Sequence, residues 1–407
     1  MASRKGDPVD PWTGPNRRRI LPPTEEDDLK FEKDRSRAEQ SWDRLRTLPF
    51  REQTALVESD AGMQSWALAV RLCDESVQAT AGGQGQEALQ QTRLALRVAS
   101  LVRDDPSWCS RLQGYAWAHL ANALRAGGDL REAAEGFERA EALWMEGAVC
   151  HPGPLDYNRM LRLEALTRRA QGRLNEGISL LERARTLFHT PEETVIQIQR
   201  GAFLAEAGRW DDAVQELLRA SAQVKGRHAA RLRLDLAFNL AASLGHAGRH
   251  GDAAALLDET RKLAAAQGTD VDRTRLLWLT ARSAAGLGRT REALAALGTV
   301  RQALEGHGLL YDAALAALEI AALHSSQGPA AEVKELARGL APLAQGTAAS
   351  GASAAIPRGA QATLKLFCRL AEKDGLTPAS TRRFADDFLR TGGDPNLRPE
   401  PWPVLEE

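Results

Sequence analysis

Aromatic residues make up only 5% of this 407-residue chain, three of them tyrosines, and β-branched strand patterns are scarce beside its Ala, Leu, Arg, Glu and Gly. Strands favour β-branched and aromatic side chains, whereas Ala, Leu, Arg and Glu are strong helix formers. The chain has almost no net charge: 53 basic residues against 54 acidic leave −1. Nothing global therefore draws it to nucleic acid or to an anionic membrane, and no direct nucleic-acid partner is expected. Long apolar runs are missing too; none approaches the roughly 20 residues needed to span a bilayer. The stretch from Met1 to Pro23 is polar and proline-rich, without the apolar run of a signal peptide, so a cytoplasmic location and no membrane partner are expected. Cys73, Cys109, Cys150 and Cys368 lie far apart with no CxxC pair, which is expected of reduced, mostly buried thiols.

What is present is repetition. Two helical stretches alternate with a glycine-containing turn, and at a fixed offset past that glycine stands an Ala, Gly or Val, usually after Glu or Asp. The instances are GGQGQEAL (82–89), GGDLREAA (127–134), QGRLNEGI (171–178), AGRWDDAV (207–214), AGRHGDAA (247–254), LGRTREAL (287–294) and QGPAAEVK (327–334). Their glycines are Gly83, Gly128, Gly172, Gly208, Gly248, Gly288 and Gly328. The last four are evenly spaced, and the earlier intervals differ from that step only slightly. A near-fixed period of this length marks a repeat architecture, in which each unit buries its face on its neighbours.

The spacing within a unit explains the element. Trp117, Leu120, Ala121 and Leu124 fall on one face of a helix. Gly128 provides the left-handed cap that ends it, Asp129 caps the next helix, and Leu130, Ala133, Phe137 and Ala140 form the next stripe. Leu161, Ala165, Gly177 and Leu181 repeat the template, as do Leu204, Ala213 and Leu217, then Leu240, Ala241, Ala253 and Leu257, then Ala281, Ala284, Ala293 and Leu297.

The pattern of bulky, Leu and small residues, then Gly, then Ala, aromatic and Ala resembles the tetratricopeptide repeat family over residues 66–345. It is most similar to the long-repeat type found in bacterial regulators, because most units run to about 40 residues and lack the family's proline after the second helix. The resemblance implies an all-α, right-handed α-solenoid of about seven helix-turn-helix repeats. Expected around it are a disordered tail (1–28), N-terminal capping helices (29–61), the repeat array (62–345), C-terminal capping helices (346–394) and an extended tail (395–407).

Chemistry is sparse. No phosphate-binding loop, GxGxxG, HExxH or GxSxG motif occurs, so no enzyme and no cofactor are expected. His246 and His250 stand four apart but bracket Gly248, where a helix ends, so a metal site is not expected there. Asp211 and Asp212 read as the acidic first turn of a helix rather than an acid/base pair.

In the family, the first helix of each pair lines an inner groove. The resemblance places there His119, Asn122 and Arg125, then Arg159, Arg162 and Arg169, then Gln199, Asn239, Arg275, Trp278 and Arg282, with Asp235 and Glu319 as acidic exceptions. Arginine pairs carboxylates bidentately and asparagine can hydrogen-bond an extended backbone. The expectation is an interaction scaffold or adaptor whose basic groove takes an acidic or carboxylate-bearing segment of a protein or peptide partner. The alternative is a regulatory receptor that binds a peptide or small effector in the same groove.

Overall fold

The computed structural model describes residues 25–81, 83–147, 153–187, 193–224, 230–327, 330–345, 358–373 and 375–391. Among these residues there is no strand; the regular structure is all helix. Two compact units divide at Thr190 and Pro191.

The N-terminal unit opens with α1 (Glu25–Leu45), α2 (Phe50–Ser59) and a 3-10 turn (Ala61–Met63). Residues 25–28, expected in the tail, instead form the first turn of α1. Residues 1–24 lie outside the described residues. Three helix pairs follow: α3 (Trp66–Ala81) with α4 (Gly85–Leu101), α5 (Pro106–Ala126) with α6 (Leu130–Glu146), and α7 (Tyr157–Ala170) with α8 (Leu174–Leu187).

The C-terminal unit holds α9 (Glu193–Glu206) with α10 (Trp210–Gln223), α11 (Ala230–His246) with α12 (His250–Gln267), α13 (Asp270–Gly286) with α14 (Thr290–Gly306), and α15 (Leu310–Gln327) with α16 (Ala330–Gln345). It ends with α17 (Arg358–Glu372) and α18 (Pro378–Thr391). The segments 346–357 and 392–407, read as a loop and an extended tail, lie outside the described residues.

Within each unit, consecutive helices pack as antiparallel pairs and each pair stacks on the next, the helical-solenoid arrangement that the repeats imply. We call the first helix of a pair inner and the second outer. The turn glycines do what the spacing requires: Gly128 and Gly248 sit at φ 90° and 76°, a region that glycine enters without a Cβ penalty. Asp129 caps α6 by accepting the Glu132 backbone N–H at 2.9 Å. Gly328 lies outside the described residues. Gly308 (φ 73°), which the repeat reading passed over, turns the chain from α14 into α15.

Small residues set the close approaches. A Cβ on Gly114 would lie 2.8 Å from the Ala140 carbonyl and 3.0 Å from the Trp144 nitrogen, so α5 and α6 meet backbone to backbone there. Phe137 and Trp144 are buried beside that crossing. The last pair departs from the pattern. α17 packs on α16 as an inner helix would, but α18 lies along α15. Tyr311 stacks on Phe388 at 4.6 Å and donates its hydroxyl to the Phe388 carbonyl at 2.8 Å.

Candidate functional site

The inner helices hold more buried polarity than the outer helices do. Buried polar side chains cluster on them: His119 and Asn122 on α5, Asn158, Arg162 and Arg169 on α7, Gln197 and Gln199 on α9, Asp235 and Asn239 on α11, Asp272 on α13 and Asp312 on α15. The outer helices hold fewer: Thr92 and Thr260 bond backbone carbonyls of their own helices, Gln91 donates to Glu87 at 3.2 Å, and Glu216 on α10 is paired with Arg200 of α9 at 2.7 Å.

In the N-terminal unit, α3 and α7 reach each other past α5. Asp74 Oδ1 lies 2.7 Å from Arg159 Nη1. Burial raises the Asp74 carboxyl above its ordinary range, opposed by Arg159. Arg71, beside it on α3, pairs with Glu39 of α1 at 2.8 Å and with Glu75. His119 is fully buried, with its ring tilted against Tyr115 at 4.8 Å. Burial, and then the Arg159 charge, holds its imidazole well below the usual range, so it is neutral. Asn122 is also buried, and its Oδ1 accepts Arg125 Nε at 3.0 Å. Two residues expected to line an open groove are thus enclosed, because side chains from three inner helices converge on one point.

α7 gathers the rest of the predicted basic row, Arg159, Arg162 and Arg169, the last two almost buried. Beside them Asn158 is fully buried with neither end of its side-chain amide hydrogen-bonded. Its backbone N–H instead serves the helix cap at Asp156.

In the C-terminal unit the predicted residues are woven into ion pairs. Arg231 donates to both oxygens of Asp235 at 2.7 and 3.1 Å, and across to Asp272 on α13 at 2.8 Å. Asp272 also accepts the Thr269 backbone N–H and hydroxyl, each at 2.8 Å, in a capping box. Burial alone would raise its carboxyl; the bonds from Thr269 and Arg231 outweigh that and hold it below the ordinary value. Burial pushes Asp235 up to about 6 despite Arg231.

Farther along, Glu319 of α15 accepts Arg282 Nε and Nη2 at 2.9 and 2.5 Å and Trp278 Nε1 at 2.8 Å. The Arg282 guanidinium lies over the Trp278 ring at 4.6 Å. Gln199 is buried on α9, and Asn239 is buried on α11 with its amide donating to the Asp235 carbonyl at 2.8 Å. Arg275 is half-buried on α13, within electrostatic reach of Asp312, Asp272 and Asp235.

The lining of this unit is therefore not simply basic. Arg231, Asp272 and Asp312 of this unit, and Asp74 of the N-terminal one, were absent from the sequence expectation, which counted only Asp235 and Glu319 as acidic. The signal was there: Asp272 and Asp312 are separated by the same interval as the turn glycines Gly248 and Gly288, and so are Asp235 and Arg275.

Among the described residues, no group of three or more His, Cys, Asp or Glu could hold a metal, and no helix is long and apolar enough to cross a membrane.

A protein-family model described as the C-terminal domain of suppressor of spindle checkpoint defect 1 matches residues 164–343, less than half of the chain. Among curated proteins no sequence matches. Among solved structures, a Rap protein complexed with competence and sporulation factor superposes with a TM-score of 0.54 at 11% identity, over 81% of this chain and 91% of that one. The apo form of RapI gives 0.50 at 10% identity, over 79% and 98%. A putative kinesin light chain from Podosopora anserina, built of nearly identical TPR-like repeats, gives 0.39 at 20% identity over 48% and 93%. At these identities the first two likenesses speak for the fold alone.

Proposed function

We propose that the protein is a non-catalytic interaction scaffold that holds a segment of a partner polypeptide on its inner helices. The observation behind this reading is the one-sided placement of polar side chains. Burying polar groups is costly unless they find partners, and here they are concentrated on the inner helices, one row per unit. The outer helices bury fewer such groups, chiefly Gln91 on α4 and Glu216 on α10, whereas every inner helix from α5 to α15 carries at least one.

In the N-terminal unit Arg125, Arg159, Arg162 and Arg169 share one row; Arg159 is paired with Asp74 and Arg125 with Asn122, so an acidic segment or a terminal carboxylate binds there by adding to or displacing bonds that these guanidinium groups already make. The test is binding of short peptide pools, acidic or neutral, with free or amidated C-termini, to the full chain. Tighter binding of the acidic or free-carboxylate pools, weakened in Arg162→Gln and Arg169→Gln proteins of unchanged circular dichroism, is the expected result. Equal binding of all pools would remove the carboxylate preference.

A regulatory receptor is the second reading. It is favoured by the likeness to the Rap structure, which was solved with competence and sporulation factor bound. A tight partner that co-purifies supports the scaffold, whereas thermal stabilisation by a short peptide without a stable partner supports the receptor.

A further inference from the structure

The carboxylates on the inner face of the C-terminal unit are not equally provided for. Asp235 takes two bonds from Arg231, Asp272 takes bonds from Thr269 and Arg231, and Glu319 takes bonds from Arg282 and Trp278. Asp312, in the first turn of α15, is only 8% exposed and accepts no hydrogen bond or ion pair among the described residues. Arg275 and Arg282 act on it only at a distance, and burial pushes it up to about 6.

The repeat register explains the deficit. Asp312 stands one repeat period after Asp272, whose donors are Thr269 and Arg231. At the positions one period after those donors stand Leu309 and Val271, neither of which has a side-chain donor. The acid persists where both of its partners have been replaced by apolar residues. Leu309 leaves α15 without the side-chain cap that Thr269 gives α13, so only the helix dipole remains as a local reason for an acid in this first turn.

The charges add to the same conclusion. On α11, α13 and α15, the charged side chains that are not exposed comprise four acids and three arginines, so the row is one positive charge short. Neither oxygen of Asp312 is wholly enclosed, so the carboxylate touches solvent at this face, and a charge-assisted pair with a cation is among the stronger hydrogen bonds open to it.

We propose that Asp312 is the docking point for one basic side chain, an arginine guanidinium or a lysine ammonium, of the segment that the protein holds. The inference rests on the scaffold reading for its polypeptide context, but the cation site itself does not. It deepens that reading: the segment carries a positive charge for the C-terminal unit, whatever it presents to the N-terminal one.

The probes are Nα-acetyl-arginine amide, Nα-acetyl-lysine amide and the neutral Nα-acetyl-citrulline amide, titrated calorimetrically into the full chain at matched ionic strength. The arginine or the lysine probe binds saturably, and the comparison between them tells which head group fits. Citrulline binds at least about tenfold more weakly, as the loss of a charge-assisted bond requires. Asp312→Asn loses the difference, while Asp258→Asn, at an exposed aspartate on α12, keeps it. Equal binding of arginine and citrulline, no saturable binding, or unchanged binding by a folded Asp312→Asn protein overturns the proposal and shows a carboxyl served by solvent only. If the cations bind at Asp312 while no peptide pool binds, the site stands and the scaffold reading falls. If the peptide pools bind but an added pool carrying one arginine or lysine binds no better than its neutral counterpart, the scaffold stands and this site falls.

Discussion

Arg231 and Asp272 are 41 residues apart in the chain, yet Arg231 Nη1 lies 2.8 Å from Asp272 Oδ2, joining α11 to α13. The same guanidinium grips Asp235 with its other two nitrogens, so a single side chain serves two buried carboxylates on successive inner helices. Arg231→Met would leave both without this donor, though Asp272 would keep its bonds from Thr269. Removing one partner of a buried pair is strongly destabilising, but Arg231 is itself partly exposed, so about 2 kcal/mol is expected rather than the full value. Urea denaturation monitored in the C-terminal unit measures it, and a loss below about 0.5 kcal/mol would show that solvent already serves these acids.

Asp312 gives the pH response its sign. Its folded carboxyl titrates at about 6, above the ordinary carboxylate value, so the native state is penalised as pH rises from about 4 through 6, and the penalty is complete above that. Asp312→Asn is therefore expected to be more stable than the parent at pH 7.5, by about 1 to 3 kcal/mol, and to lose that advantage near pH 4. A thermal-melt series from pH 4 to 8 checks the crossover. A constant difference across the series would mean that the carboxyl titrates normally.

His119 acts in the opposite sense. Its imidazole is held neutral by burial and by Arg159, so its folded value lies below the unfolded one, and stability is lost as pH falls below about 6.5. Hydrogen exchange in α5 should accelerate between pH 7 and 5, after correction for intrinsic exchange rates, and His119→Gln should blunt that acceleration. The same slope in both proteins would assign the acid sensitivity to other groups, Asp74 and Glu164 excepted, since burial raises both and gives the contrary sign.

Two glycines separate close packing from propensity. Gly114→Ala drives a Cβ against backbone atoms of α6, which cannot yield as a side chain would, so a loss of about 1 to 3 kcal/mol is expected. Gly298, inside α14, has nothing within 4 Å of its added Cβ. Gly298→Ala is expected to stabilise by roughly 0.5 to 1 kcal/mol through helix propensity alone. Similar effects from the two substitutions would contradict the close crossing of α5 and α6.

Tyr311→Phe removes the hydroxyl that α15 donates to the Phe388 carbonyl while keeping the stacked ring. A cost near about 1 kcal/mol is expected, with proteolytic nicking appearing first around α18. No change in either would show that ring packing alone holds α18 on α15.

The helix pairs were legible because local rules write them. A glycine that must adopt positive φ, an Asp or Glu in the first turn and a stripe of Ala and Leu at helical spacing all recur with a near-constant period, and each acts within a few residues. The positions of Gly128, Glu132 and Ala133 show all three in one unit. Gly308 escaped only because it lies between two repeats rather than inside one, although Asp312 and Ala313 follow it at the familiar offsets.

The candidate site was half legible. Repeat register puts Arg159, Asn239, Arg282 and the other named positions on the first helices of their pairs, because which helix and face a residue occupies follows from its spacing. Their state was decided by contacts that spacing does not encode. His119 and Asn122 are enclosed because Asp74 and Arg159 converge from α3 and α7. Arg282 is engaged because Glu319 arrives from α15, and Asp312 is left unserved because Leu309 and Val271 stand where its neighbour has Thr269 and Arg231. Sequence alone determines the helix pairs, since their hydrogen bonds and caps close within one turn. Charge pairing acts between helices a full repeat apart in the chain, so only the tertiary structure decided which acids and arginines of the described inner helices pair, as Arg231 with Asp272 does, and that Asp312 takes no such bond.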